Sequence, residues 1–344
     1  MDQRDCVYVI GAGFSAGLGF PLTSDLLVRL WDRIDKRLRK RLKRVIRFHH
    51  PEFDPKRFTT FPDVEQLLSE LQVNEQLFGA SRQYGGKFTK VQLQNLQTDL
   101  LLQVATWFHE ISKDVFSGEP TVDWLEKFRR QVIRQNASIV SFNWDLILDQ
   151  LLFGDAIDGA SYGFKRGESG GPSLLKPHGS LNWFEEDVGR RLKRDRRVRV
   201  FRKGSDAVFA FRRFRAPVLR QERITPLIVP PVYLKNFEKP VFRKLWRNCV
   251  ALLSQAREVV FLGYSLPLAD LHARFIMRCG FRGPSDRRPI QTTERTNARG
   301  AANVVIVNPD WGAARRISAI VGSEHKCSWV STSVSDWIQS RPDQ

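Results

Sequence analysis

Cysteine is scarce in these 344 residues: Cys6, Cys249, Cys279 and Cys327 lie far apart, with no C-x-x-C pair. That excludes a zinc ribbon and a small disulfide framework, and it predicts reduced, mostly buried thiols. Long apolar runs are missing too, since nothing approaches the roughly eighteen residues a spanning helix needs. The amino terminus, MDQRDCVYVI, places acids where a secretion signal carries a basic region. The expectation is a cytoplasmic chain with no membrane anchor. Acidic residues are in deficit, 37 against 55 basic, for a formal charge of +18. An anionic partner or ligand follows from that charge, without saying which. No internal repeat is visible.

Two stretches concentrate the positive charge. Through Arg33 to Arg47, RIDKRLRKRLKRVIR, and the turn before it, the residues Leu30, Ile34, Leu38, Leu42 and Val45 recur at three- and four-residue steps. This predicts a helix with an apolar stripe and a basic outer face, solvated, subunit-facing or turned to nucleic acid. Arg190 to Lys203, followed by AVFAF, predicts an Arg-rich strand hairpin. Its interleaved FAFRRFR fits a hairpin core with a solvated rim better than a single-strand binder.

Four apolar runs read as buried parallel strands, each followed by a turn and a helical pattern. They are VYVI, SIVSF (Ser138 to Phe142), EVVFL (Glu258 to Leu262) and NVVIVN (Asn303 to Asn308). The fold class expected is α/β: a doubly wound, Rossmann-like parallel sheet with an inserted helical lobe, a smaller loop- and β-rich insertion, and no zinc ribbon. The core is assigned to 5–23, 137–153 and 241–325, the helical lobe to 24–136 and the smaller lobe to 154–240. Helices are expected from Ser24 to about Phe48, Val64 to about Phe78, Val91 to Val115 and Val122 to Gln135, with Ser24 capping the first. The smaller lobe carries LIVPPVY. RGPSDRRPIQTTERTNARGAA, Arg282 to Ala302, reads as a mobile loop. WVSTSVSDWIQS has too little pattern to assign.

Candidate chemistry sits at the ends of these strands. VYVIGAGFSAGLG places glycines after a strand, where backbone can approach a phosphate; a tightly packed turn would use them equally well. Gly17 falls one residue late for G-x-G-x-x-G, and no acidic strand end follows about twenty residues on, so a hydride-transferring dehydrogenase is disfavoured. In SFNWDLILDQLL, Asn143 has the chemistry of an N-cap and Asp145 sits in the first helical turn, yet both also stand where ligands bind in open sheets. LKPHGSLNW fixes His178 between Pro177 and Gly179, making it the best acid/base candidate of six histidines. Gly263 and Ser265 in FLGYSL, and Asn308 and Asp310 in VNPD, stand at two further strand ends, Asp310 reading chiefly as a helix cap.

The ordered set GAGFSAGLG, FNWD, KPHGSLNW, LGYSL and VNPD, spanning roughly 5–320, resembles the sirtuin family. More narrowly it resembles the bacterial sirtuin-like proteins of anti-phage defence, which hydrolyse NAD. The resemblance implies NAD as substrate, its phosphates held by Gly11, Ala12, Gly13 and Ser15. It implies Asn143 and Asp145 at the nicotinamide side and, with the histidine His178, as the catalytic residues, and Gly263, Ser265 and Asn308 at the adenosine side. Three departures count against lysine deacylation: there is no cysteine tetrad, Phe142 and Trp144 flank Asn143 where deacylases have Gln and Ile, and Leu22-Thr23 replaces Phe-Arg. No metal is expected. The function implied is a toxic NAD+ glycohydrolase that depletes NAD, is held in check until assembly or a partner releases it, and forms a homo-oligomer. The partner is a HerA-like ATPase or another defence component. A protein deacylase, or a nucleotide- or nucleic-acid-binding module without NAD turnover, are the alternatives.

Overall fold

The computed structural model describes residues 6–78, 89–118, 122–165, 171–186, 192–229, 239–268, 270–282 and 301–342. Its strands are β1 (Cys6–Ile10), β2 (Ser138–Ser141), β3 (Ser173–Leu175), β4 (Gly179–Ser180), β5 (Trp183–Glu185), β6 (Arg197–Lys203), β7 (Asp206–Phe211), β8 (Leu227–Ile228), β9 (Glu258–Leu262), β10 (Asn303–Val307) and β11 (Lys326–Val330). Six of them form one sheet in the order β11-β10-β9-β1-β2-β3, every neighbouring pair parallel. The four apolar runs of the sequence are its four central strands. Helices cover both faces, so VYVI is buried throughout and reads as an unbroken apolar run rather than an alternating one. Each such side chain contributes about 1.5–3 kcal/mol on leaving water.

The strand order reverses between β1 and β9, and this switch point is where a crevice opens beyond the strands' carboxyl ends. The chain leaves β1 through a five-residue helix, Ala12–Ala16, and runs through the helical insert before returning at β2. Asp123–Arg134 closes this excursion by laying Phe128 edge-on to Tyr8, with ring centroids 5.1 Å apart.

The stretch expected as one helix from Ser24 to Phe48 is two, Thr23–Trp31 and Lys36–His49. Asp35 makes the break, its carboxylate accepting the Leu38 N–H at 2.8 Å to start the second helix. Ser24 does not cap the first: Leu22 stands at its N-cap without a side-chain bond, and the Ser24 hydroxyl is turned to Asp25. The apolar stripe of the basic helix is as expected, with Leu38, Leu42, Val45 and Ile46 buried. Val64–Phe78 and Lys90–Ser117 complete the insert.

The Arg-rich segment is the expected hairpin, β6 against β7, widened to three strands by β5. Val200, Phe201, Val208 and Phe211 are buried, and Arg197 covers the Phe209 ring at 4.7 Å, so FAFRRFR is hairpin core with a charged rim. The carboxyl-terminal stretch left unassigned from the sequence forms edge strand β11 and helix Val334–Ser340, whose N-cap Ser333 accepts the Asp336 N–H. Only Cys6 and Cys249 are buried; Cys279 is intermediate and Cys327 exposed on edge strand β11. The expected loop at 283–300, and 230–233 of LIVPPVY, lie outside the described residues. Among the described residues no helix is long and apolar enough to cross a membrane.

Candidate active site

Two backbone segments, the loops after β1 and β9, meet at the switch point so closely that side chains are excluded. The Gly13 N–H donates to the Gly263 carbonyl at 2.9 Å, and Gly11 N–H to that of Leu262 at 3.1 Å. A Cβ on Gly263 would stand 2.5 Å from the Gly13 carbonyl carbon, and one on Gly11 would stand 2.6 Å from the Cα of Tyr264. Gly263 also has φ +60°, a conformation that costs other residues. The glycines therefore serve loop-on-loop packing first. The same loops nevertheless face a cavity of about 1270 Å3, walled by Ala12, Gly13, Gly263, Ser265 and Asn308. Phe48, His49, Glu65 and Ser69 of the helical insert form the opposite wall.

Directly beneath this wall, Ser15 ties the first loop to the end of β2. Its hydroxyl donates to Asp145 Oδ2 at 2.7 Å and accepts from Asn143 Nδ2 at 3.1 Å, while Asn143 Nδ2 also donates to the Gly11 carbonyl at 3.0 Å. Asn143 is not the helix N-cap. The helix Ile147–Phe153 begins later, after Leu146, and the Ile147 N–H is met by Asp145 Oδ1 at 3.1 Å. Burial holds the Asp145 carboxyl above the ordinary carboxylate range, and the nearby Lys176 charge opposes that only in part. Lys176, 1% exposed, donates to the Asp145 carbonyl at 2.6 Å and to Asp149 Oδ2 at 2.9 Å, and Tyr162 donates to Asp149 Oδ1 at 2.5 Å. Such a pair is costly to break, because one uncompensated charge would remain buried.

His178 lies at the amino end of β4, where Gly179 takes φ +80° and the Val229 N–H, just past β8, bonds the His178 carbonyl at 2.9 Å. Its Nε2 is 2.8 Å from Asp270 Oδ2, and both side chains are buried. Asp270, just before the helix Leu271–Arg282, gave no sequence signal beyond that of a helix-start carboxylate. The Phe142 ring meets His178 edge-on at 4.9 Å and stacks on Tyr264 at 4.5 Å, with Trp246 6.1 Å from the imidazole. Burial raises the Tyr264 phenol well above its ordinary range. The predicted residues thus fall into two groups: Gly11, Ala12, Gly13, Ser15, Asn143, Asp145, Gly263, Ser265 and Asn308 at or under the cavity wall, and His178, buried against Phe142 and outside the cavity lining. Asp310 caps the helix Trp311–Val321, accepting from Gly312 and Ala313.

No protein-family model and no curated protein matches the sequence. Among solved structures the chain is similar to one described as the structural basis of sirtuin substrate affinity, at 13% identity and TM-score 0.44 over 98% of this chain and 93% of that one. It is similar also to a Sir2 homolog–NAD complex, at 13% identity and TM-score 0.42 over 97% and 86%. A structure described as the basis of mechanism and regulation of Sir2 enzymes matches at 10% identity and TM-score 0.41 over 98% and 90%. At these identities and TM-scores the likeness says nothing about activity, which must be read from this chain's own residues.

Proposed function

We propose that this protein is an NAD+ glycohydrolase that breaks the bond between nicotinamide and ribose, and that it serves as an NAD-depleting effector of anti-phage defence. The observation that carries the chemistry is the Ser15 junction, which binds the cavity-lining loop to Asn143 and Asp145 at one sheet edge. The cavity, about 1270 Å3, is larger than the roughly 300–1,000 Å3 of ordinary ligand clefts and so has room for a dinucleotide. The defence role rests on the sequence resemblance alone.

In the proposed reaction the C1′–N bond breaks with its electron pair leaving on nicotinamide, and positive charge builds on the ribose. Water adds its oxygen to C1′ and gives up one proton, so NAD+ and water become nicotinamide, ADP-ribose and a proton. His178, restrained by Asp270, takes a proton from a ribose hydroxyl; the attacking water's proton restores that hydroxyl and His178 releases its own to solvent, and positioned acid/base help is worth about 10²- to 10⁴-fold. Asn143 and Asp145 set the position of the loop through Ser15. His178 is buried and does not line the cavity, so reaching substrate takes a rearrangement, which supports an enzyme held slow until a partner protein or assembly acts.

Incubating purified protein with NAD and chromatographing the products tests this. Nicotinamide and free ADP-ribose in equal amounts without peptide are expected. Nicotinamide release only with an acetylated peptide would make it a deacylase, and salt-sensitive DNA binding with no NAD loss would make it a binding module.

A further inference from the structure

A second cavity, of about 680 Å3, lies between the helices Lys36–His49, Lys90–Ser117 and Ala216–Gln221. Arg37, Arg41, Arg44, Arg220 and Arg223 all line it. Asp99 is shared by two of them, Arg41 at 2.7 Å and Arg223 at 3.0 Å. Arg41 also donates to the Gln92 carbonyl at 3.1 Å. The other carboxylate, Asp35, is spent on the helix cap. Among the described residues Arg37, Arg44 and Arg220 have no carboxylate partner, so three permanent cations converge on one concavity.

Like charges gathered in this way repel, and an anion offsets that repulsion. A guanidinium fork matches a phosphate with two parallel hydrogen bonds, and Arg41 and Arg223 are already fixed by Asp99. The volume is that of a small-molecule cleft. Leu38 and Leu102 provide an apolar floor, and Asn95 and Gln103 bring amides able to meet a base or sugar. The charges form a bowl among three helices, whereas a duplex is met by a row of phosphate contacts along a surface. We propose that this cavity binds a small phosphate-bearing ligand of nucleotide size.

Both walls lead to the site described above. Arg37, Arg41, Arg44 and Phe48 share one flank of the same helix, and Phe48 and His49 at its far end wall the larger cavity. From Arg223 the chain runs through Thr225, bonded to Thr98 at 3.2 Å, into β8 and then to Val229, whose N–H holds the His178 carbonyl. This reach to the catalytic region rests on the NAD reading; the binding itself does not.

Binding of ATP and of inorganic tripolyphosphate to the full-length protein, by calorimetry, tests the proposal without any activity assay. R44E/R220E is expected to weaken both by about tenfold or more, while K36E/K40E, an equal charge change on the outer face of the same helix, leaves them within about twofold. Melting curves check that each variant folds. In the unmodified protein, ATP should slow amide exchange in 36–49 and 216–221, whatever the variants do. Failure of both probes to bind overturns the proposal, as does equal weakening by the two variants. A duplex DNA oligomer that depends on Arg44 and Arg220 more than ATP does would overturn it in favour of a nucleic-acid surface.

Discussion

His178 Nε2 and Asp270 Oδ2 are 2.8 Å apart in a pocket that leaves both side chains buried. A carboxylate so close to the ring restrains where the imidazole can turn. Asp270→Asn is therefore expected to lower kcat for NAD cleavage by up to the roughly 10²- to 10⁴-fold worth of positioned acid/base catalysis, with KM little changed. His178→Ala should abolish turnover. A KM increase at constant kcat in Asp270→Asn would mean that Asp270 shapes binding instead.

Asn143, just after β2, is joined by one hydrogen bond to Ser15, in the short helix after β1. Asn143→Ala removes the tie to the Gly11 carbonyl as well, and is expected to abolish NAD loss while the protein still melts cooperatively. Ser15→Ala leaves that second tie and should retain partial activity. Normal turnover by purified Asn143→Ala would sink the assignment.

Asp145 yields a pH prediction with a definite sign. Burial raises its folded pKa above the unfolded value, so its contribution to stability is complete below the unfolded pKa and is lost as pH rises through the folded one. Asp145→Asn keeps the acceptor for the Ile147 N–H and has no such dependence. Its melting temperature should gain on the parent as pH climbs from about 4 toward 7. A gap that moves the other way would show that the Lys176 charge, not burial, governs this carboxyl.

The buried Lys176–Asp149 pair should behave as a unit. Lys176→Met strands the Asp149 carboxylate and is expected to cost about 3–5 kcal/mol in denaturant unfolding. Lys176→Met with Asp149→Leu should recover part of that loss. If the double variant is as unstable as the sum of the singles, the pair is not coupled.

Thiol labelling offers an independent check of the fold. Burial pushes the Cys6 thiol up to about 12 and raises Cys249 further, whereas Cys327 is exposed. Native protein at mild alkaline pH should label at Cys327 first and at Cys6 and Cys249 only on unfolding. Early labelling of Cys6, at the start of β1, would contradict the sheet.

The four central strands were legible because parallel strands covered on both faces read as unbroken apolar runs. The strand-end polar residues followed from that. Asp270 and Lys176 did not. One looks like any carboxylate before a helix and the other like a surface lysine, and only tertiary burial gives each its partner. The break at Asp35 was hidden because Leu30, Ile34 and Leu38 keep helical spacing straight through it. Helix Val334–Ser340 did carry a signal: Ser333 followed three residues on by Asp336, the spacing of a capping box.

The contact of Gly13 with Gly263 leaves no slack between the loops that follow β1 and β9. The sheet side of the large cavity is thus a fixed jaw, unable to widen without parting two strands of the core. Under the proposed function, admitting and releasing NAD would fall to the other wall, the helical insert that carries Phe48, His49, Glu65 and Ser69. A cross-link pinning the Lys36–His49 helix to the sheet would hold this cavity at one width without touching Asn143, Asp145 or His178.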